Sequence, residues 1–175
     1  MDRIITERLI MTLANLNDLK ELEIIEEECD KYFLFDPPCE ENHSCSLKEC
    51  ITIGDIPPGG KRENYFIYCI RQDNILIGFM AYYLEYQNKS DLAYLSVIYV
   101  KEDHQRKGIG KEILDKIIER FITIKIKEIR THVSLRNLPS LRFFVNQGFD
   151  KIINVEGNGV LYPENFGGLE LSRKL

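Results

Sequence analysis

The chain has 175 residues, 44% hydrophobic and 29% charged, with a formal net charge of −5, a make-up that fits one soluble globular domain over residues 1–175 with a substantial core. No apolar run nears the ~20 residues of a membrane span, and the acidic balance argues against general nucleic-acid binding while suiting a cationic, amine-bearing partner. The opening Met1-Asp2-Arg3-Ile4 does not read as a signal peptide, so a cytoplasmic location is expected.

Residues 3–12 alternate imperfectly around Ile4, Ile5, Leu9 and Ile10 and predict a first strand. A helix follows, with Asn15 or Asn17 as its cap and Leu19, Leu22, Ile25 and Cys29 at helical spacing. Asp36-Pro37-Pro38 breaks the pattern, and the stretch to Gly60 reads as irregular with a short helix near residues 47–51. Loops of this kind often cover a site. The five cysteines, Cys29, Cys39, Cys45, Cys50 and Cys69, are an odd number and read as free thiols. Cys39, His43, Cys45 and Cys50 match no common zinc spacing, so no metal is expected.

Residues 65–71 predict a strand, 72–74 a turn, and 75–86 a second strand of a hairpin. After a turn at 88–91, the β-branched and aromatic run 92–100 predicts a strand buried in a sheet. Ile109, Ile113, Leu114, Ile117, Ile118 and Phe121 then mark one helical stripe. Residues 124–134 predict the next strand, Asn137 caps a helix with Pro139 in its first turn and Gly148 past its end, and 149–155 and 168–175 supply closing strands. The order describes an α+β sheet with two helices following successive central strands.

Between strand and helix lies Gln105-Arg106-Lys107-Gly108-Ile109-Gly110-Lys111. Its glycines let the backbone approach a ligand closely, and the helix start offers N–H donors and a positive dipole end to a phosphate. The Walker pattern fails because Glu112 follows Lys111, and the dinucleotide fingerprint fails because Ile113 stands where a third glycine belongs. A tight strand-to-helix connection is the plain structural alternative.

The stretch Val100-x-x-x-x-Gln105-Arg106-Lys107-Gly108-Ile109-Gly110 resembles the acetyl-coenzyme A signature of the GNAT acetyltransferase superfamily. Asn137-x-x-Ser140-x-x-Phe143-Phe144-x-x-x-Gly148-Phe149 is similar to that superfamily's second motif, and Thr6-Glu7-Arg8-Leu9 resembles the start of the branch holding ribosomal-protein N-terminal acetyltransferases. The resemblance implies a GNAT-type mixed, mostly antiparallel sheet of six to seven strands flanked by helices, its central strands splayed to admit coenzyme A. It implies acetyl-coenzyme A as co-substrate, held by the 105–111 turn, by main-chain groups near Ile98 and Val100, and by Asn137 and Phe144. A backbone N–H there would polarise the thioester carbonyl, a contribution on the order of 3 kcal/mol. Asn137 reads equally as a helix cap.

Proton transfer is harder to place. The helix tyrosine that the family often uses as acid corresponds to Phe144, which has no proton to give, and the strand glutamate of some members corresponds to Tyr94. Tyr94, Ser96 and His132 are the candidates by type and position, with Tyr162, Glu85 and His104 behind them. The resemblance implies direct acetyl transfer to an amine, either a small molecule or a protein N-terminus, and is compatible with a homodimer. The missing Tyr and Glu keep open a non-catalytic coenzyme A-binding sensor or regulatory module.

Overall fold

The computed structural model describes residues 3–33, 46–157 and 167–175. Eight strands form one sheet in the order β1-β2-β3-β4-β5-β6-β8-β7: β1 Arg3–Ile5, β2 Ile10–Leu13, β3 Tyr65–Gln72, β4 Ile75–Leu84, β5 Leu92–Val100, β6 Glu128–Ser134, β7 Lys151–Glu156 and β8 Gly168–Lys174. Among the described residues only β5 and β6 run parallel; every other neighbouring pair is antiparallel. The helices are α1 Leu19–Phe33, α2 Leu47–Thr52, α3 Ile109–Thr123 and α4 Leu138–Asn146.

The sheet separates two cores. One face packs the predicted α3 stripe, Ile109, Ile113, Leu114, Ile117, Ile118 and Phe121, against Met11, Tyr68, Tyr82, Leu95 and Ile129, with Phe144 and Phe149 closing its end. The other packs Leu22 and Ile25 of α1 and Leu47 and Ile51 of α2 on Ile67, Phe79 and Tyr83. Fully burying side chains of this size contributes about 1.5–3 kcal/mol each.

Several boundaries differ from the sequence expectation, three of them with a visible local cause. The first strand is a tight hairpin, because Thr6 Oγ1 accepts the Leu9 N–H at 2.9 Å and the Thr6 N–H donates to the Leu9 carbonyl at 3.0 Å; this adds the eighth strand. β4 ends at Leu84, since Glu85 turns left-handed at φ 57°. β6 begins at Glu128 rather than at residue 124, because Ile124 closes α3 and Lys125 turns left-handed at φ 67°. Cys69 is buried and Cys50 part-buried; Cys39, His43, Cys45 and Tyr162 lie outside the described residues. Among the described residues no group of three or more His, Cys, Asp or Glu could hold a metal, and no helix is long and apolar enough to cross a membrane.

Candidate functional site

The site begins where two strands part. β5 and β6 share three rungs, Leu92 with Glu128, Ala93 with Ile129 and Tyr94 with Arg130. Beyond Tyr94 they diverge, with Thr131 Oγ1 donating to the Leu95 carbonyl at 2.9 Å just past the last rung. The gap widens into a cleft of about 820 Å³ between the outer half of β5, the start of α3, the far half of β6 and α4.

A bulge aims β5 into this cleft. Ala81 pairs with Val97 and Tyr82 with Leu95, which leaves Ser96 as the extra residue. The bulge reverses the alternation: Ala93 and Leu95 face the α3 core, whereas beyond it Ile98 and Val100 do so. The Lys101 N–H donates to the Ile77 carbonyl of β4, so the backbone groups of Ile98 and Val100, three and one residues earlier, point away from β4 toward the open side. Of these, the Val100 carbonyl accepts a 2.7 Å hydrogen bond from Gln105 Nε2. The Gln105 side chain therefore ties the turn to the strand.

The turn itself is built from unusual backbone. Arg106 lies at φ 57° and Gly108, the N-cap of α3, at φ 81°, a region where a side chain costs about 1 kcal/mol or more. No side chain caps α3, whose ladder starts with the Glu112 N–H on the Gly108 carbonyl, so first-turn amides and the positive dipole end face the cleft mouth. Gln105, Arg106, Gly108, Ile109, Gly110 and Lys111 all line the cleft, whereas Lys107 does not. Lys111 pairs with Asp115 one turn on. A Cβ on Gly110 would meet the Phe143 ring at 3.4 Å, an ordinary van der Waals contact between α3 and α4.

A clamp holds this turn from the other end of the chain. Arg8 Nε donates to Glu112 Oε2 at 2.6 Å and Arg8 Nη1 to the Lys107 carbonyl at 3.1 Å, while Thr6 Oγ1 donates to Glu112 Oε1. Burial raises the Glu112 pKa, but the bonds from Thr6 and Arg8 outweigh it and hold the carboxyl below its ordinary value. Nothing in the spacing of these residues announces the clamp; Thr6-Glu7-Arg8-Leu9 was visible only as a resemblance.

The proton-transfer candidates divide. Tyr94 and His132 sit on the two diverging strands at the narrow end of the cleft, Tyr94 on the last shared rung and His132 two residues past Arg130. Burial, then Tyr86, Glu170, Glu156 and Asp55, push the Tyr94 phenol far above its ordinary value, so it keeps its proton. Its ring stacks on Tyr86 with centroids 4.6 Å apart. Ser96 also lines the cleft, on the bulge. Glu85 lies outside the lining, accepting from Asn64 Nδ2 at 2.9 Å, and His104 instead meets Asp103 with Nδ1 2.7 Å from Oδ1. Asn137 lines the cleft and caps α4, its Oδ1 accepting the Ser140 N–H at 3.2 Å. Phe144 lines it as a buried ring between Phe143 and Phe149, both edge-on with centroids 5.1 Å away.

Residues 22–149 match the acetyltransferase (GNAT) family, and the chain belongs to it. That family uses acetyl-coenzyme A. Among curated proteins, the chain is similar to the Homo sapiens spermidine/spermine N(1)-acetyltransferase-like protein 1, 25% identical over 117 residues; the match takes in 61% of this chain but spans only 17% of that protein. The fold is shared with a GNAT family acetyltransferase from Elizabethkingia anophelis with acetyl-CoA bound, at TM-score 0.59 and 15% identity, covering 97% of this chain and 100% of that one. It is shared also with Arabidopsis thaliana Naa50 in complex with the bisubstrate analogue CoA-Ac-MVNAL, at TM-score 0.64 and 19% identity, covering 96% of this chain and 99% of that one.

Proposed function

We propose that the chain moves an acetyl group from acetyl-coenzyme A directly to a primary amine, either a small molecule or a protein N-terminus. The parting of β5 from β6 beside an uncapped helix start carries this reading, since it offers an extended ligand backbone partners along one wall and an anion cradle at one end. Acetyl-coenzyme A supplies an activated thioester and a pyrophosphate. Amides of the 108–111 turn bind the phosphates, with Arg106 adding charge, and the outward N–H and C=O groups near Ile98 pair with the arm and polarise the carbonyl.

An amine is mostly protonated near neutral pH and must lose a proton before it attacks. His132 is the base we assign to this role, because it lines the cleft at its narrow end. Tyr94, which keeps its proton and lines the same cleft, is the hydrogen-bond donor we assign to the leaving group. The names of the relatives support both acceptor classes: one is a spermidine/spermine acetyltransferase-like protein, and another was solved with a peptide-bearing analogue.

The second reading, a coenzyme A-binding sensor, rests on Phe144, which leaves α4 without a proton donor at the matching position. Steady-state release of free coenzyme A across a panel of polyamines and N-terminal peptides separates the two. Amine-dependent release supports transfer; saturable acetyl-coenzyme A binding without it contradicts transfer and leaves the sensor.

A further inference from the structure

His132 is held by a device that no motif records. On one face of the outer sheet, His132 of β6 stands opposite Glu170 of β8, Gly168 lies two residues before Glu170 on β8, and Glu156 of β7 stands opposite Gly168. A line from His132 to Glu156 therefore crosses Gly168 diagonally. A Cβ at position 168 would overlap the imidazole, whose Nε2, Cε1 and Cδ2 all lie over that site. The missing side chain is what lets the ring lie flat across β8 and reach the third strand. There His132 Nε2 is shielded from solvent and 3.1 Å from Glu156 Oε2. The contact is an ion-pair distance without the alignment of a formed hydrogen bond.

We propose that Glu156, with the space left by Gly168, is a positioning residue for His132: it holds the proton on Nε2, leaves Nδ1 as the bare acceptor for the cleft, and offsets the imidazolium that forms. This rests on the acetyl-transfer reading. In the step, the N–H bond of the acceptor ammonium breaks and an Nδ1–H bond forms, while Nε2 keeps its hydrogen and the charge passes from substrate to ring. The freed amine pair is then available to attack.

Among the described residues, the other charged and titratable groups on this face leave Glu156 as the carboxylate in contact with His132 Nε2. Glu170, opposite His132 on β8, has its buried Oε1 at an ion-pair distance of 3.5 Å from Arg130 without a formed hydrogen bond, and Arg130 is bound to Glu128 at 2.8 Å. Tyr94 and Tyr86 present neutral phenols, both held above their ordinary values chiefly by burial.

The test pairs kinetics with ¹⁵N NMR of the imidazole in the full chain, which reports the tautomer of His132 whether or not the chain turns over. The proposal predicts that E156A mixes the His132 tautomers and lowers kcat about tenfold with the amine KM unchanged, that E156Q, which keeps an acceptor oxygen, restores the wild-type tautomer and part of kcat, and that G168A reproduces E156A from the opposite side. Unchanged ring shifts in both E156A and G168A would overturn the pair. Changed shifts with unchanged kcat would overturn its part in the reaction. Absence of amine-dependent coenzyme A release from the wild type would instead refute the transfer reading, and the ring shifts would still decide whether Glu156 holds His132.

Discussion

The two ends of the cleft are made by different means. At its mouth, the turn from Gln105 to Lys111 works through backbone: amide groups, left-handed dihedrals and a helix dipole, braced by Arg8 and Glu112. At its narrow end, His132 and Tyr94 line the cleft with Glu156 and Gly168 behind His132; the four come from four different strands, and the proposed chemistry rests on side chains brought together by register. A backbone site tolerates many side chains and few changes of conformation, whereas a side-chain site tolerates the reverse. The mouth is thus suited to a common donor and the narrow end to a particular acceptor.

Substitutions can break this division. The largest effect is expected from H132A, which removes the assigned base: kcat should fall about 100-fold or more while acetyl-coenzyme A affinity, measured by calorimetry, stays within about twofold. Loss of affinity with kcat intact would invert the division. Next is G108V, which places a β-branched residue at φ 81°; a strain of about 1–3 kcal/mol and a displaced amide should weaken acetyl-coenzyme A binding by about 10- to 100-fold. Binding as tight as wild type would show that the turn does not hold the donor.

R8A sharpens the picture more gently. It removes the brace on Glu112 and on the Lys107 carbonyl without touching the turn's own sequence, so affinity should fall about three- to tenfold, with a small drop in Tm. An unchanged Kd would mean that the turn is rigid without its clamp.

The smallest effect concerns the outer sheet's pH tolerance. Burial raises the Glu128 carboxyl, but bonds from Lys174, Arg130 and Ser172 outweigh it and lower its pKa to about 2, against 4.5 ordinarily. Since the folded value is the lower one, this group adds stability above pH 4.5 and loses it as pH falls toward 2. The Tm of the wild type should therefore fall faster than that of E128Q across that window, and parallel melting curves would contradict it.

The same division explains what could be read from the sequence. The turn and the α3 stripe are contiguous, so their residue spacing alone points to an anion site and a packed helix. The family resemblance supplied the splay between β5 and β6, which no local pattern encodes. The clamp joins positions about a hundred residues apart. The His132 device was illegible because β8 inserts between β6 and β7, and without that strand order nothing connects Glu156 or Gly168 to His132. Boundaries failed for local reasons: Glu85, Gln87, Asn88 and Lys125 adopt positive φ without being glycine, at exposed positions in turns closed by backbone bonds such as Asn88 N–H to the Glu85 carbonyl and Lys125 N–H to the Ile122 carbonyl.

Titrating acetyl-coenzyme A into the ¹⁵N-labelled full chain tests the central claim most directly, because it reports on amides and the claim concerns amides. Saturable shifts are expected at Gly108, Ile109, Gly110 and Lys111 and at Ile98 and Val100, with those on β1–β3 unmoved. Saturable binding that leaves the amides of the turn and the open edge of β5 undisturbed would contradict it.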